Sequence, residues 1–427
     1  MNLVKKLFSN GAVVAISVGL QFLAISLVGK QDPELLGYLN FIEIIIAFIP
    51  AVVLFGGDAF FQFKINQLDT EESRLDFLRT YFNMGAALVG IIVLITSLIV
   101  WQGMLKININ LLVVIVSMLT VTFTSYFLSF LYRSNLRILK GVLYERALLA
   151  SINTAIIICI LILGFELDST ILLCIVLLAS FGGLCFSSYV VFGKLGFTKF
   201  NWSESKKLIC NRKTIFFWIT GILIFVYERV DQIFVASVFG YVLLGYYFAC
   251  YKLSFFVRMF TSIVYSYIYP HLAKLQKNNK NKAIELFHES SQLTVSVAVT
   301  FSLPLFFFPS EILGFAFSPE FAEYSNLLKI MAVSTIFSCI NQVNYAVVNS
   351  QGKSGIIFSN AVVSVLIQFA IIAAFYNTHQ LYALAYARLG ASVFGVIVSY
   401  LVLGKSYLNR IALAVAGLSL IGLLLSF

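Results

Sequence analysis

The sequence predicts an all-α, polytopic integral membrane protein with twelve core transmembrane helices in two six-helix lobes. Three observations carry that prediction. Of 427 residues, 60% are hydrophobic and only 11% charged; apolar runs of spanning length recur along the whole chain; and the basic residues gather on alternate sides of those runs. A soluble domain carries about a quarter of charged residues. Soluble enzymes, nucleic-acid-binding domains and disordered scaffolds are therefore excluded, since each needs more polar surface than this chain supplies.

A hydrocarbon layer about 30 Å thick takes about 20 helical residues to cross. Runs of that kind lie at 11–29, 35–57, 81–101, 110–132, 147–165, 170–192, 215–240, 245–270, 289–309, 326–349, 355–376 and 381–403. A thirteenth, Ile411 to Phe427, has 17 residues, at the short limit for a span; it either crosses as an additional C-terminal helix or dips into the bilayer. The first run follows Lys5 and Lys6 like the core of a signal peptide, but no small-residue cleavage site follows it, so it reads as a retained first span. These runs define an N-terminal lobe at 1–192, a basic cytoplasmic linker at 193–213, a C-terminal lobe at 214–403 and an apolar tail at 404–427.

Basic residues are retained on the cytoplasmic side of a membrane. With the N-terminus inside, 22 of the 29 Lys and Arg fall in cytoplasmic segments, while the outer loops hold only Lys30, Lys106 and Lys329. The outer loops are short, the longest running from about Ser310 to Ser325, which leaves no room for an external catalytic domain. The six cysteines show no metal-ligand spacing and read as small hydrophobes. No metal and no cofactor is expected.

One segment recurs. The junction of the first and second spans contains Pro33-Glu34-Leu35-Leu36-Gly37-Tyr38, and that of the seventh and eighth contains Gly240 followed by Leu243-Leu244-Gly245-Tyr246. The offset of 208 residues is about half the chain and places six spans in each half, as in transporters built from internal repeats.

With these turns, Asp231 in the seventh span and Pro270 closing the eighth before a basic loop, the sequence resembles the multidrug/oligosaccharidyl-lipid/polysaccharide exporter superfamily. Within it, the resemblance is to bacterial flippases of lipid-linked O-antigen or capsule repeat units (polysaccharide biosynthesis proteins). It covers nearly the whole chain. It implies two six-helix lobes around a cavity and outward movement of a polyprenyl-pyrophosphate-linked oligosaccharide without ATP hydrolysis. The chain correspondingly has no phosphate-binding loop motif.

An ionisable residue within a span costs at least about 2.5–3.5 kcal/mol, so it marks a functional candidate. Glu228, Arg229 and Asp231 lie in the seventh span, Lys252 and Arg258 in the eighth and Arg388 in the twelfth; the first half carries Glu43 and, at a span end, Asp58. Arg258, Arg388, Lys252 and Arg229 are expected to hold the pyrophosphate or acidic sugars, because a guanidinium is a permanent, planar partner for phosphate oxygens. Glu228 and Asp231, three residues apart on one helix face, serve either as ion-coupling carboxylates or as salt-bridge partners of the neighbouring cations. Glu43 is their counterpart in the first lobe, with Pro50 a kink seven residues on. Asn341 and Asn344 are expected at a cavity wall or in interhelical hydrogen bonds. Tyr246, Tyr247 and Tyr251 are placed either against sugar rings or in an interfacial belt.

The expected function is thus a non-enzymatic flippase of the bacterial inner membrane in O-antigen and lipopolysaccharide biosynthesis. Its partners are the lipid-linked oligosaccharide, membrane lipids and a polysaccharide polymerase, with no nucleic acid. Two alternatives stand beside it: a multidrug/cation antiporter of the same superfamily, and a membrane-embedded polysaccharide polymerase or ligase. The excess of cations within the spans weighs against the first, and the short outer loops against the second.

Overall fold

The computed structural model describes residues 2–54, 61, 65, 68, 70–101, 109–134, 138–195, 203, 206, 211–351, 354–404, 407 and 409–425. Among these residues there are fourteen α-helices and no strand. They are α1 (Asn2–Gln31), α2 (Pro33–Val52), α3 (Glu71–Trp101), α4 (Ile109–Ser134), α5 (Ile138–Ile157), α6 (Ser169–Leu195), α7 (Arg212–Val238), α8 (Gly240–Asn278), α9 (Lys280–Phe307), α10 (Pro309–Ala316), α11 (Ser325–Ser350), α12 (Ser354–His379), α13 (Leu381–Leu403) and α14 (Arg410–Leu425). A π-helical turn, Ile158–Ile162, extends α5, and a 3-10 turn, Pro319–Tyr324, precedes α11. Asp58 and most of the expected linker, 196–202 and 207–210 included, lie outside the described residues.

Ten helices are long and apolar enough to cross a membrane, and each matches one of the twelve predicted spans. The other two predicted spans fall in α1 and α7. In α7 every stretch of 18 residues holds at least three of the charges Arg212, Lys213, Glu228, Arg229 and Asp231. The exterior is apolar, with Leu94, Leu161, Phe181, Phe315 and Leu401 more than half exposed. A soluble protein would hide side chains of this kind, whereas a bilayer accepts them. This is a multi-pass membrane protein.

Helix ends depart from the apolar runs where local chemistry decides. The α9 helix starts nine residues before its apolar run because the Asn279 side chain caps it, accepting from the Lys282 N–H at 3.1 Å. The loop expected from Ser310 to Ser325 is folded into α10 and the 3-10 turn. At the end of α2 the helix gives way to a turn at Val53 and Leu54, which begins three residues past Pro50. The carbonyls left there are taken by side chains: the Trp218 indole N–H donates to Val52 O at 2.7 Å and the Tyr81 hydroxyl to Leu54 O at 2.6 Å. A backbone carbonyl without a partner at bilayer depth would cost several kcal/mol.

The chain divides into two compact units. The first comprises Phe8–Gln31 and Tyr38–Phe225; the second comprises Val226–Phe427 with Met1–Leu7 and Asp32–Gly37. The division falls within α7. In the first unit α4 packs against α3, α5 and α6 around a core of aromatic side chains that includes Phe61, Tyr81 and Phe127. In the second, α11 packs against α8, α9, α12, α13 and α14. The central helix of each unit is the fourth predicted span of its half, which is how a duplicated six-span unit packs. The tail helix α14 lies against α9 and α11; its 16 residues reach about 24 Å, short of the hydrocarbon thickness.

The repeated turns meet each other within the second unit. A Cβ placed on Gly245 would lie 1.9 Å from the Pro33 carbonyl oxygen, and one on Gly37 would lie 2.0 Å from that of Tyr241. Each glycine thus admits the backbone of the other copy of the repeat, a closeness that only a missing side chain permits. Between the two, Gly240 adopts φ 82°, the left-handed conformation that turns α7 into α8. Gly245→Ala and Gly37→Ala are each expected to destabilise the protein by about 1–3 kcal/mol, read as a lower thermal midpoint of the purified protein. Gly90→Ala, with nothing within 4 Å of the added methyl, is the neutral control.

Candidate functional site: a cationic cluster on three helices

Three helices of the second unit bring the predicted charges together. From α7 come Glu228, Arg229, Asp231 and Gln232; from α8 come Tyr247, Tyr251, Lys252, Phe255 and Arg258; from α13 comes Arg388. On α8, Tyr247, Tyr251 and Phe255 follow one another at intervals of four, so one helix face is a ladder of rings with cations beside it.

Asp231 is the fixed point. Its side chain is 2% exposed, and Arg388 grips it with two hydrogen bonds, Nε to Oδ2 at 2.8 Å and an Nη to Oδ1 at 3.1 Å. The Tyr247 hydroxyl donates to Oδ2 at 2.6 Å and the Gln232 backbone N–H to Oδ1 at 2.8 Å. Arg388 also donates to the Glu228 carbonyl at 2.7 Å. A buried charge with every lone pair engaged is a structural tie, and here it fastens α13 and α8 to α7.

The Glu228–Arg258 pair is built differently. One guanidinium nitrogen meets Oε1 at 2.6 Å, with the side chains 26% (Arg258) and 30% (Glu228) exposed. Arg229 donates to the neutral amide of Gln232, Nη to Oε1 at 2.9 Å. Lys252 is 3% exposed and lies against the faces of Phe248 and Phe255, at 5.2 and 5.5 Å.

Aromatic faces link the four cations. Arg388 lies 4.7 Å and Arg229 5.7 Å from the Tyr251 ring, and Arg258 lies 5.9 Å from Phe255, which it shares with Lys252. Tyr251 and Phe255 stack on each other with centroids 5.4 Å apart. Each cation–π contact contributes about 0.5–2 kcal/mol, more as water is excluded. The rings therefore hold like charges close together at an apolar depth.

The remaining candidates lie elsewhere. Asn341 and Asn344 are buried between α11 and α13, where their amide nitrogens donate to the Ser392 carbonyl at 2.9 Å and to Ser399 Oγ at 2.7 Å. They tie these two helices together, and Gly395 leaves the space that the Asn341 amide fills. Glu43 belongs to the first unit, buried on α2, where it accepts from Gln21 Nε2 at 2.7 Å. The three tyrosines grouped in the sequence separate: Tyr246 stacks on Tyr324 and donates to Glu320, Tyr247 serves Asp231, and Tyr251 carries arginines. Gln232 and Phe255 are additions that the sequence pattern does not single out; the four-residue interval from Tyr251 to Phe255 beside Lys252 is the signal that marks Phe255. The two ion pairs predict different stabilities. Arg388→Ala strands a buried carboxylate and is expected to cost about 3–5 kcal/mol, whereas Arg258→Ala, at a part-exposed pair, is expected to cost less. Thermal unfolding of the two purified variants separates these values.

No protein-family model and no curated protein matches the sequence. Solved structures do. The lipid II flippase MurJ in its inward closed conformation superposes with TM-score 0.75 at 15% identity, over 97% of this chain and 91% of that one. A mutant of the MATE transporter VcmN of Vibrio cholerae gives 0.61 at 14% identity over 95% and 96%. A MOP-superfamily transporter from Pyrococcus furiosus, described as having a binding pocket of reverse polarity, gives 0.64 at 12% over 92% and 93%. This chain shares its fold with these solved transporters.

Proposed function

We propose that this protein is a flippase that moves a polyprenyl-pyrophosphate-linked oligosaccharide repeat unit from the cytoplasmic to the outer face of the bacterial inner membrane by alternating access. The N-terminus is cytoplasmic, the polyprenyl tail stays in the lipid, and the unit is delivered to a polysaccharide polymerase for O-antigen or related lipopolysaccharide assembly. One observation carries this reading: Arg229, Lys252, Arg258 and Arg388 are gathered around two stacked rings on helices of spanning length. Each cation at such depth is expensive. The two carboxylates of the cluster engage Arg258 and Arg388, while Arg229 bonds a neutral amide and a ring face. An anionic group entering the cluster meets the Arg229 and Arg258 guanidinium groups, which suit phosphate oxygens.

The same charge balance speaks against a cationic drug as substrate, which would meet repulsion here. The shared fold with a lipid II flippase supports the lipid-linked class. Deleting the gene is expected to trap single lipid-linked repeat units on the inner face and abolish the surface polymer, with complementation restoring it. Unpolymerised units on the outer face would indicate a polymerase or ligase; unchanged polysaccharide with raised sensitivity to cationic dyes would indicate a drug exporter. In the complementation assay, Arg258→Ala and Arg229→Ala are expected to lose most transport while reaching normal levels in the membrane.

A further inference from the structure

The two ion pairs differ in a way that gives Glu228 a task of its own. Asp231 has its oxygens engaged by Arg388, Tyr247 and the Gln232 N–H and is sealed from its surroundings. Glu228 instead holds Arg258 through one oxygen, and both side chains of the pair are more than a quarter exposed. Its carboxylate also lies in the field of Arg229 and Arg388. A part-exposed carboxylate in the field of three cations occupies the position that an incoming phosphate would seek.

We infer that Glu228 is an internal competitor for the substrate anion: a phosphate oxygen displaces it from Arg258 on binding, and its return to Arg258 drives release. The inference rests on the anionic headgroup reading above. The exchange is a swap of one hydrogen-bonded anion for another, with no covalent step. It also sets a specificity. A pyrophosphate brings more than one negative charge against the single charge of Glu228 and wins the exchange, whereas a monoanion meets an equal competitor and does not. The competition keeps binding from becoming so tight that the headgroup cannot leave, since differences in affinity within one site appear mostly in the rate of release.

The test uses the full-length protein in lipid nanodiscs with inorganic pyrophosphate as probe, and nitrate as the monoanion, measured by calorimetry and by release kinetics. Glu228→Gln is expected to bind pyrophosphate about tenfold tighter, to release it correspondingly more slowly, and to bind nitrate as the native protein does not. Glu228→Asp, which keeps the charge but shortens its reach, is expected to fall between the two and serves if the Gln variant does not fold. If the native protein binds pyrophosphate and both variants bind it equally or more weakly, Glu228 is only a structural partner of Arg258 and the exchange is overturned, while the headgroup reading stands. If the native protein does not bind pyrophosphate, the headgroup reading falls and this inference with it.

Discussion

A charge held at bilayer depth must be met by groups of the same protein, because the surrounding hydrocarbon offers neither water nor counter-ions. That constraint organises the second unit. Asp231 and Arg388 satisfy each other so completely that three helices are committed to one arrangement around them. Once α7, α8 and α13 are fixed in this way, the next residues along each helix have little freedom: Glu228 faces Arg258, and both Arg229 and Arg388 lie against the Tyr251 ring. The same requirement acts on the backbone in the first unit, where Trp218 and Tyr81 take up the carbonyls at the end of α2.

Much of the fold was legible in the sequence because crossing a membrane is a demand on composition and length. Ten of the predicted spans coincide with helices apolar enough to cross. Helix ends were less legible. Asn279 starts α9 in polar sequence, since a helix stops where its terminal backbone groups find partners and not where hydropathy changes. The repeat was visible as four residues, yet its physical meaning, two glycines that each admit the other segment's backbone, needed the packing of two distant helices.

The candidate site divides along the same line. That Glu228, Arg229, Asp231, Lys252, Arg258 and Arg388 matter follows from the cost of charge in a span. Which acid meets which cation does not, because Asp231 and Arg388 are 157 positions apart and their meeting is set by helix packing. The rings beneath the cations were harder still to single out: in a chain with 42 Phe and 21 Tyr, two aromatic residues on one helix face do not stand out until the cations are seen resting on them. Asn341 and Asn344 show the opposite case, conspicuous in sequence yet engaged in joining α11 to α13.

The paired glycines at 37 and 245 have a consequence for how such a protein can vary. Much of the exterior asks only for oiliness, so Leu, Ile, Val and Phe can replace one another there with little effect, and a fold can outlast nearly all recognisable likeness between its members. The crossing of the repeated turns tolerates no such drift, because it is defined by two hydrogen atoms standing where any other residue would put a carbon. An inherited feature of this kind is nearly invisible to comparison by residue similarity, and it is read most directly by asking where a molecule has no space to spare.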